Sequence, residues 1–165
     1  MPSSKRAPQR EAPANLHAER TLLGAVLLDP DLFPVPLEAE DFFISSHRVL
    51  FARMVEMRSE GKQIDYVTLL DELDTNKELE GLGESPRAWV AGLTEGLPMR
   101  PAVKDYTRIV KAKSLQRQLI VCCEAAIAKA YAGESGFQIV EVLRTRLDEI
   151  TSDAKRGVRK EEPPT

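Results

Sequence analysis

Two histidines, His17 and His47, and two adjacent cysteines, Cys122 and Cys123, are the side chains in this sequence with most capacity for chemistry. With Glu19 or Asp65 the histidines could hold a metal ion. Metal sites, however, are built from short ligand spacings such as H-E-x-x-H, and a pair 30 residues apart lacks that signature. His47 follows Phe42-Phe43 near a helix start and reads instead as a buried, hydrogen-bonded histidine. Cys122 and Cys123 sit in a helical pattern where their side chains diverge by about 100°, which would strain a disulfide between them. With no basic or metal-binding neighbour in sequence, they read as small core residues. Gly61-Lys62 is followed by Gln63 and has no glycine five residues earlier, so the phosphate-cradling loop of nucleotide-binding proteins is missing. Ser45-Ser46 lacks the context of a nucleophile elbow, and Glu38, Glu40 and Asp41 cluster where negative charge favours a helix start. No catalytic, cofactor or metal constellation emerges from these residues.

The elements that would position them are helical. Asn15 can cap a first helix whose Leu22, Leu23, Val26 and Leu27 form one apolar face, and Asp29-Pro30 ends it. Pro30, Pro34 and Pro36 break the connection to a second helix. That helix is capped by Ser45 or Ser46, turns Leu50, Phe51, Met54, Val55 and Met57 inward, and stops at Gly61. Asp65 caps a third helix with Val67, Leu69, Leu70 and Leu73. Ser85-Pro86, a cap followed by proline at the first helical position, opens a fourth with Trp89, Val90 and Leu93. Period-2 runs of β-branched residues are missing, so the chain reads as all-α.

From about Val103 a single helix runs for almost eight turns, and between Leu119 and Ala132 only Glu124 and Lys129 are polar. A helix that is apolar nearly all round needs cover on several sides. After the break at 132–136, Ser135 to Gln138 fits a capping box, and Val140, Leu143, Leu147 and Ile150 recur at 3-4-3 spacing. The resulting hairpin has more apolar surface than two helices can hide from each other, which predicts self-association through Tyr106, Leu115, Leu119, Ile127, Val140, Leu143, Leu147 and Ile150. Four parts follow: a flexible tail at 1–13, a globular helical part at 14–100, the hairpin at 101–152, and the start of a charged, proline-terminated linker at 153–165.

The net charge of −3 is unevenly spread, with +2 over residues 1–12, +1 over 153–165 and −6 between them. An acidic body repels phosphate backbones, and aromatics are only 5% of residues, so little direct DNA binding is expected. No apolar run approaches the roughly 20 residues that cross a bilayer, and the N-terminus lacks a secretory pattern, so a cytoplasmic location is the simplest reading.

The chain resembles the N-terminal domain of DnaB-type replicative DNA helicases over about residues 13–151. The resemblance rests on Ala18-Glu19 before Leu23-Gly24; Asp41-Phe42-Phe43 with His47 and Phe51; Gly61-x-x-Ile64-Asp65-x-x-Thr68-Leu69; Leu97-Pro98; and Tyr106-x-x-Ile109-Val110 before Arg117. It implies a helical bundle followed by a hairpin, hairpins that pair into dimers, and a trimer-of-dimers collar that receives the C-terminal domain of primase. It also implies an ATPase motor, with ATP and magnesium, in a domain missing from this chain, which alone should neither hydrolyse ATP nor unwind DNA. In the family a glutamate usually stands where this chain has His17 and a tyrosine where it has Trp89, in regions linked with primase response, so these two residues are expected at the partner surface. Ala102 replaces an asparagine common before the long helix. The alternative is a standalone helical regulator, either a helicase loader or decoy or a DNA-binding protein with a basic recognition helix.

Overall fold

The computed structural model describes residues 11–159, with side chains described to residue 153. Six helices account for most of it: α1 (Leu16–Leu28), α2 (Ser45–Ser59), α3 (Tyr66–Thr75), α4 (Pro86–Gly92), α5 (Val103–Tyr131) and α6 (Gly136–Arg159). Short 3₁₀ turns at Pro30–Leu32, Ala39–Asp41 and Leu79–Leu82 punctuate the connections, and no strand occurs among the described residues. The all-α expectation of a bundle followed by a long hairpin is met. The tail at residues 1–10 and the end of the linker at 160–165 lie outside the described residues.

Helix α1 is the centre of the body. Asn15 caps it as its spacing predicts, its Oδ1 accepting from the Ala18 amide at 2.9 Å. The expected single apolar face is an underestimate, because every residue from Thr21 to Leu27 is buried. The helix is enclosed by α2, α5 and the chain leaving α4, and Leu22, Leu23 and Val26 share the core with Phe42, Phe51 and Met54. Gly24 makes this enclosure possible. A Cβ there would lie 2.2 Å from the Leu93 carbonyl oxygen, so the chain leaving α4 passes directly over the glycine. Gly24→Ala is expected to cost about 3 kcal/mol by overpacking and to lower the melting temperature by roughly 10 °C. An unchanged melting curve by circular dichroism would show that this crossing is looser than it looks.

Asp65 caps α3 as expected: its Oδ1 accepts from the Val67 and Thr68 amides at 2.8 and 2.9 Å, and Thr68 Oγ1 accepts from the Asp65 amide at 3.0 Å. Gly61 stops α2 in the left-handed region at φ +70°. The bond from the Thr68 amide, foremost, holds the Asp65 carboxyl below its usual range. A depressed carboxyl stabilises the fold above its unfolded pKa, near 4, and that contribution disappears as pH falls through the lower folded value. Asp65→Ala is expected to cost about 1 kcal/mol at pH 7 by chemical denaturation, and less at pH 3.

Several expectations need correction. Neither Ser45 nor Ser46 caps α2, whose N-cap is Ile44 and carries no side-chain cap bond; a carboxylate from α1 instead holds the amides of Phe43 and Ile44 just before the helix. Ser85 makes no side-chain cap bond, although Pro86 does open α4. Val55 and Val67 point outward, Val67 being 71% exposed at the start of α3, where the first turn protrudes from the core. Cys123 is exposed and Cys122 half-buried, because only α6 covers that stretch of α5. The expected flexible tail is fastened at Pro13, whose carbonyl accepts from Arg117 at 2.8 Å.

Helix α5 does not begin a separate unit at 101. Val110, Thr107 and Ser114 are buried in the body, and Tyr106 packs half-buried against its core. Beyond Arg117 the helix leaves the body and α6 returns along it. Helix α6 continues past Ile150 to Arg159, over the stretch read as the start of a linker. At Ala102, α5 starts without a side-chain cap. The Val103 amide instead donates to the Pro101 carbonyl at 2.9 Å.

Candidate docking surfaces

Two regions carry the residues singled out in the sequence. The first is a polar knot inside the body. Glu19 is 1% exposed, and its carboxylate accepts from His47 Nδ1 at 2.7 Å, from the Phe43 amide at 2.8 Å and from the Ile44 amide at 3.5 Å. The bond assigns the His47 proton to Nδ1. One carboxylate from α1 thus satisfies the amides of the two residues that lead into α2. The His47 ring stacks on Trp89 at a centroid distance of 5.8 Å and an interplanar angle of 22°, and meets the Phe42 ring edge-on at 6.4 Å. Trp89 is therefore half-buried, one face seated on His47. Arg20 pins α4 from below, donating to the carbonyls of Gly92 and Glu95.

His17 lies exposed on the first turn of α1, and among the described residues no hydrogen bond or ring contact joins it to Trp89. His47 is a buried, hydrogen-bonded histidine, as its position suggested. Among the described residues no group of three or more His, Cys, Asp or Glu is arranged to hold a metal ion, and no helix is long and apolar enough to cross a membrane.

The second region is where the hairpin leaves the body. Asp41 is buried, and both its oxygens accept from Lys111 of α5, at 2.8 and 3.0 Å. Arg117, one turn and a half further along α5, donates to the carbonyls of Pro13 and Asp41, and its guanidinium lies 5.6 Å from the Phe43 ring centroid. Burial, foremost, pulls the Arg117 pKa below its ordinary value; nearby Arg48 adds to this, while Glu19 and Asp41 oppose it. In the sequence Arg117 stands out only as part of a pattern, and no local signal gives Lys111 a role. Their task is to strap α5 to the loop before α2.

Between α5, α6 and the body lies a groove of about 520 Å³. Val121, Ala125, Ile139 and Leu143 supply apolar lining, and Arg48, Arg117 and Glu40 stand at its body end. Outside the groove the hairpin leaves large apolar side chains uncovered. Tyr131 is 90% and Phe137 88% exposed, and Ile127, Val140 and Leu147 are also open to solvent. Of the residues assigned to self-association, Leu115, Leu119, Leu143 and Ile150 are half-buried, while Tyr106 belongs to the body.

The arrangement is that of an all-helical domain, a closed body with a protruding hairpin part of whose apolar surface is uncovered. Residues 11–112 match the family model of the DnaB-like helicase N terminal domain, and the chain belongs to that family. It is 33% identical to the replicative DNA helicase DnaB of Treponema pallidum over 144 residues, covering 85% of this chain and 32% of the relative. The corresponding Geobacillus stearothermophilus protein is 32% identical over 135 residues, covering 80% of this chain and 29% of the relative. The chain thus spans about a third of the length of the curated relatives it matches. Among solved structures, the crystal structure of the N-terminal domain of DnaB helicase from Mycobacterium tuberculosis superposes with a TM-score of 0.76 at 25% identity, covering 83% of this chain and 99% of that one. A DnaB-like replicative helicase, described with its interactions with primase, shares the fold at a TM-score of 0.69 and 20% identity, over 84% of this chain and 31% of its own.

Proposed function

We propose that this chain is the N-terminal scaffold and primase-docking domain of a cytoplasmic replicative DNA helicase. Its hairpins pair into dimers, dimers assemble into a trimer-of-dimers collar, and the collar receives the C-terminal domain of primase on a body surface that includes His17 and Trp89. The observation that carries this reading is the contrast between a closed body core and a hairpin with its largest apolar side chains in water. Family membership and a relative of the same fold described with primase support the partner. The acidic body disfavours direct binding to DNA, so the domain acts through protein contacts. ATP and magnesium belong to the motor of the longer parent protein, and this chain brings no cofactor of its own.

The test is a calorimetric titration of the chain with the C-terminal domain of primase from the same organism. Saturable binding, weakened by His17→Ala or Trp89→Ala, is the expected result. No heat of binding from a folded chain, repeated with the assembled full-length hexamer, would overturn primase as the partner.

A further inference from the structure

We propose that the open edge of the His47 ring, beside Trp89, is the selective contact of the primase-docking surface: its Nε2 accepts a hydrogen bond from a lysine or arginine of the C-terminal domain of primase, whose charge answers the buried Glu19 carboxylate behind the ring. This rests on the proposed docking of primase and adds to it a contact residue and the chemistry of the group it takes.

Glu19 is 1% exposed, and among the described residues its only ion-pair partner is His47. The cations around it are engaged elsewhere: Arg20 with the carbonyls of Gly92 and Glu95, Arg48 with those of Phe42 and Phe43, and Arg117 with those of Pro13 and Asp41. The Glu19 charge reaches Arg117 only through space. A buried carboxylate that touches no lysine or arginine favours the approach of a further cation.

The way from that charge to the surface is the imidazole. Nδ1 donates to the Glu19 carboxylate, so Nε2 of the neutral ring is an acceptor. Among the described residues nothing bonds to Nε2, and no fully buried side-chain nitrogen or oxygen is left without a partner. Nε2 therefore opens to the surface, although the residue as a whole is only 6% exposed. A carboxylate on one ring nitrogen raises the basicity of the other. No third metal-ligating group joins the Glu19–His47 pair among the described residues, which leaves a hydrogen-bond donor as the occupant. Half-buried Trp89 stacks on the same ring, so indole surface stands next to the open nitrogen, and indole is the aromatic that attracts a cation most strongly. A lysine or arginine arriving here meets an acceptor, a π face and a negative charge together. The charge of −6 over residues 13–152 draws the same kind of partner.

Proton–nitrogen correlation spectra of the full chain, isotope-labelled at histidine, test the assignment. Only two histidines contribute, and His17→Ala identifies the signals of His47. At about pH 8, where an ordinary histidine is neutral, the free chain is expected to show Nδ1 protonated and Nε2 bare. The primase domain should move the Nε2 signal toward the protonated range and leave Nδ1 in place. His47→Asn keeps an N–H for Glu19 and removes the outward nitrogen, and it should bind the primase domain at least about tenfold more weakly by calorimetry. In double-mutant cycles with alanine variants of the primase domain's lysines and arginines, one of those cations should be non-additive with His47→Asn. The spectra probe the parent itself, so the assignment stands or falls even if His47→Asn does not fold. Nε2 protonated in the free chain, an Nε2 signal unmoved at saturation, or a folded His47→Asn that binds like the parent would overturn the contact while leaving primase docking standing. Additivity with every lysine and arginine would overturn the cationic donor. A parent that binds the primase domain neither alone nor in the assembled full-length helicase would remove the docking reading and this contact with it.

Discussion

Glu19→Ala is expected to destabilise the body by about 4 kcal/mol and to lower its melting temperature by roughly 10 °C, more than most single substitutions. The carboxylate is buried, and three donors converge on it: the His47 ring and the amides of Phe43 and Ile44. Truncation to alanine leaves those donors inside the protein with no acceptor, and the cost of an unmet buried donor exceeds the net worth of the bond itself. It also removes a negative charge that favours the Arg117 guanidinium at the hairpin junction. Glu19→Gln keeps an acceptor for the amides and should lose about half as much. A double-mutant cycle with His47→Ala isolates the pairwise term. Should Glu19→Ala melt within about 2 °C of the parent, water must replace the carboxylate, and the knot would be far less costly to open.

The second large effect concerns assembly. Leu143 is half-buried and lines the groove between α5, α6 and the body, together with Cys122 and Ala126. Burying a leucine at an interface contributes about 1.5–3 kcal/mol, and a carboxylate in its place adds desolvation cost. Leu143→Asp should therefore raise the dissociation constant of the dimer at least about 100-fold by sedimentation. The body, which has its own core of α1 to α4 and the start of α5, should keep its circular-dichroism melting curve. A variant that retains the parent's mass in light scattering at the same concentration would refute pairing through the hairpin.

Much of the fold was legible because its helices announce themselves locally. Asn15, Asp65 and Gly61 are caps and stops whose effect depends on neighbours within a few residues, and each behaves in the structure as its type predicts. What escaped the sequence was non-local. Nothing near Ser45 says that the entry to its helix is held by the carboxylate of Glu19, which takes the Phe43 amide from 24 residues away, and by type alone Ser45 and Ser46 are the expected caps. Trp89 stood out only by comparison with a family, and its stacking on His47 joins two helices that share no pattern. The family motifs mark this network without describing it. Glu19 belongs to one short match, Phe43 and His47 to another, Arg117 to a third, and the structure joins all of them around a single junction. Val55 and Val67 were misplaced because hydrophobicity alone does not show where a helix turns its side to water.

Helix α5 belongs to both halves of the molecule. Its first turns are buried in the body and strapped there by Lys111 and Arg117, and the same unbroken 29-residue rod forms one arm of the hairpin. It has the mechanical character of a beam clamped along half of its length. A tilt of about 10° at the Arg117 fulcrum would carry the tip through roughly 4 Å, given some 20 Å of free rod. Strain applied at the tip therefore arrives at the Asp41–Phe43 loop, on which Glu19 and His47 close, with leverage against the body.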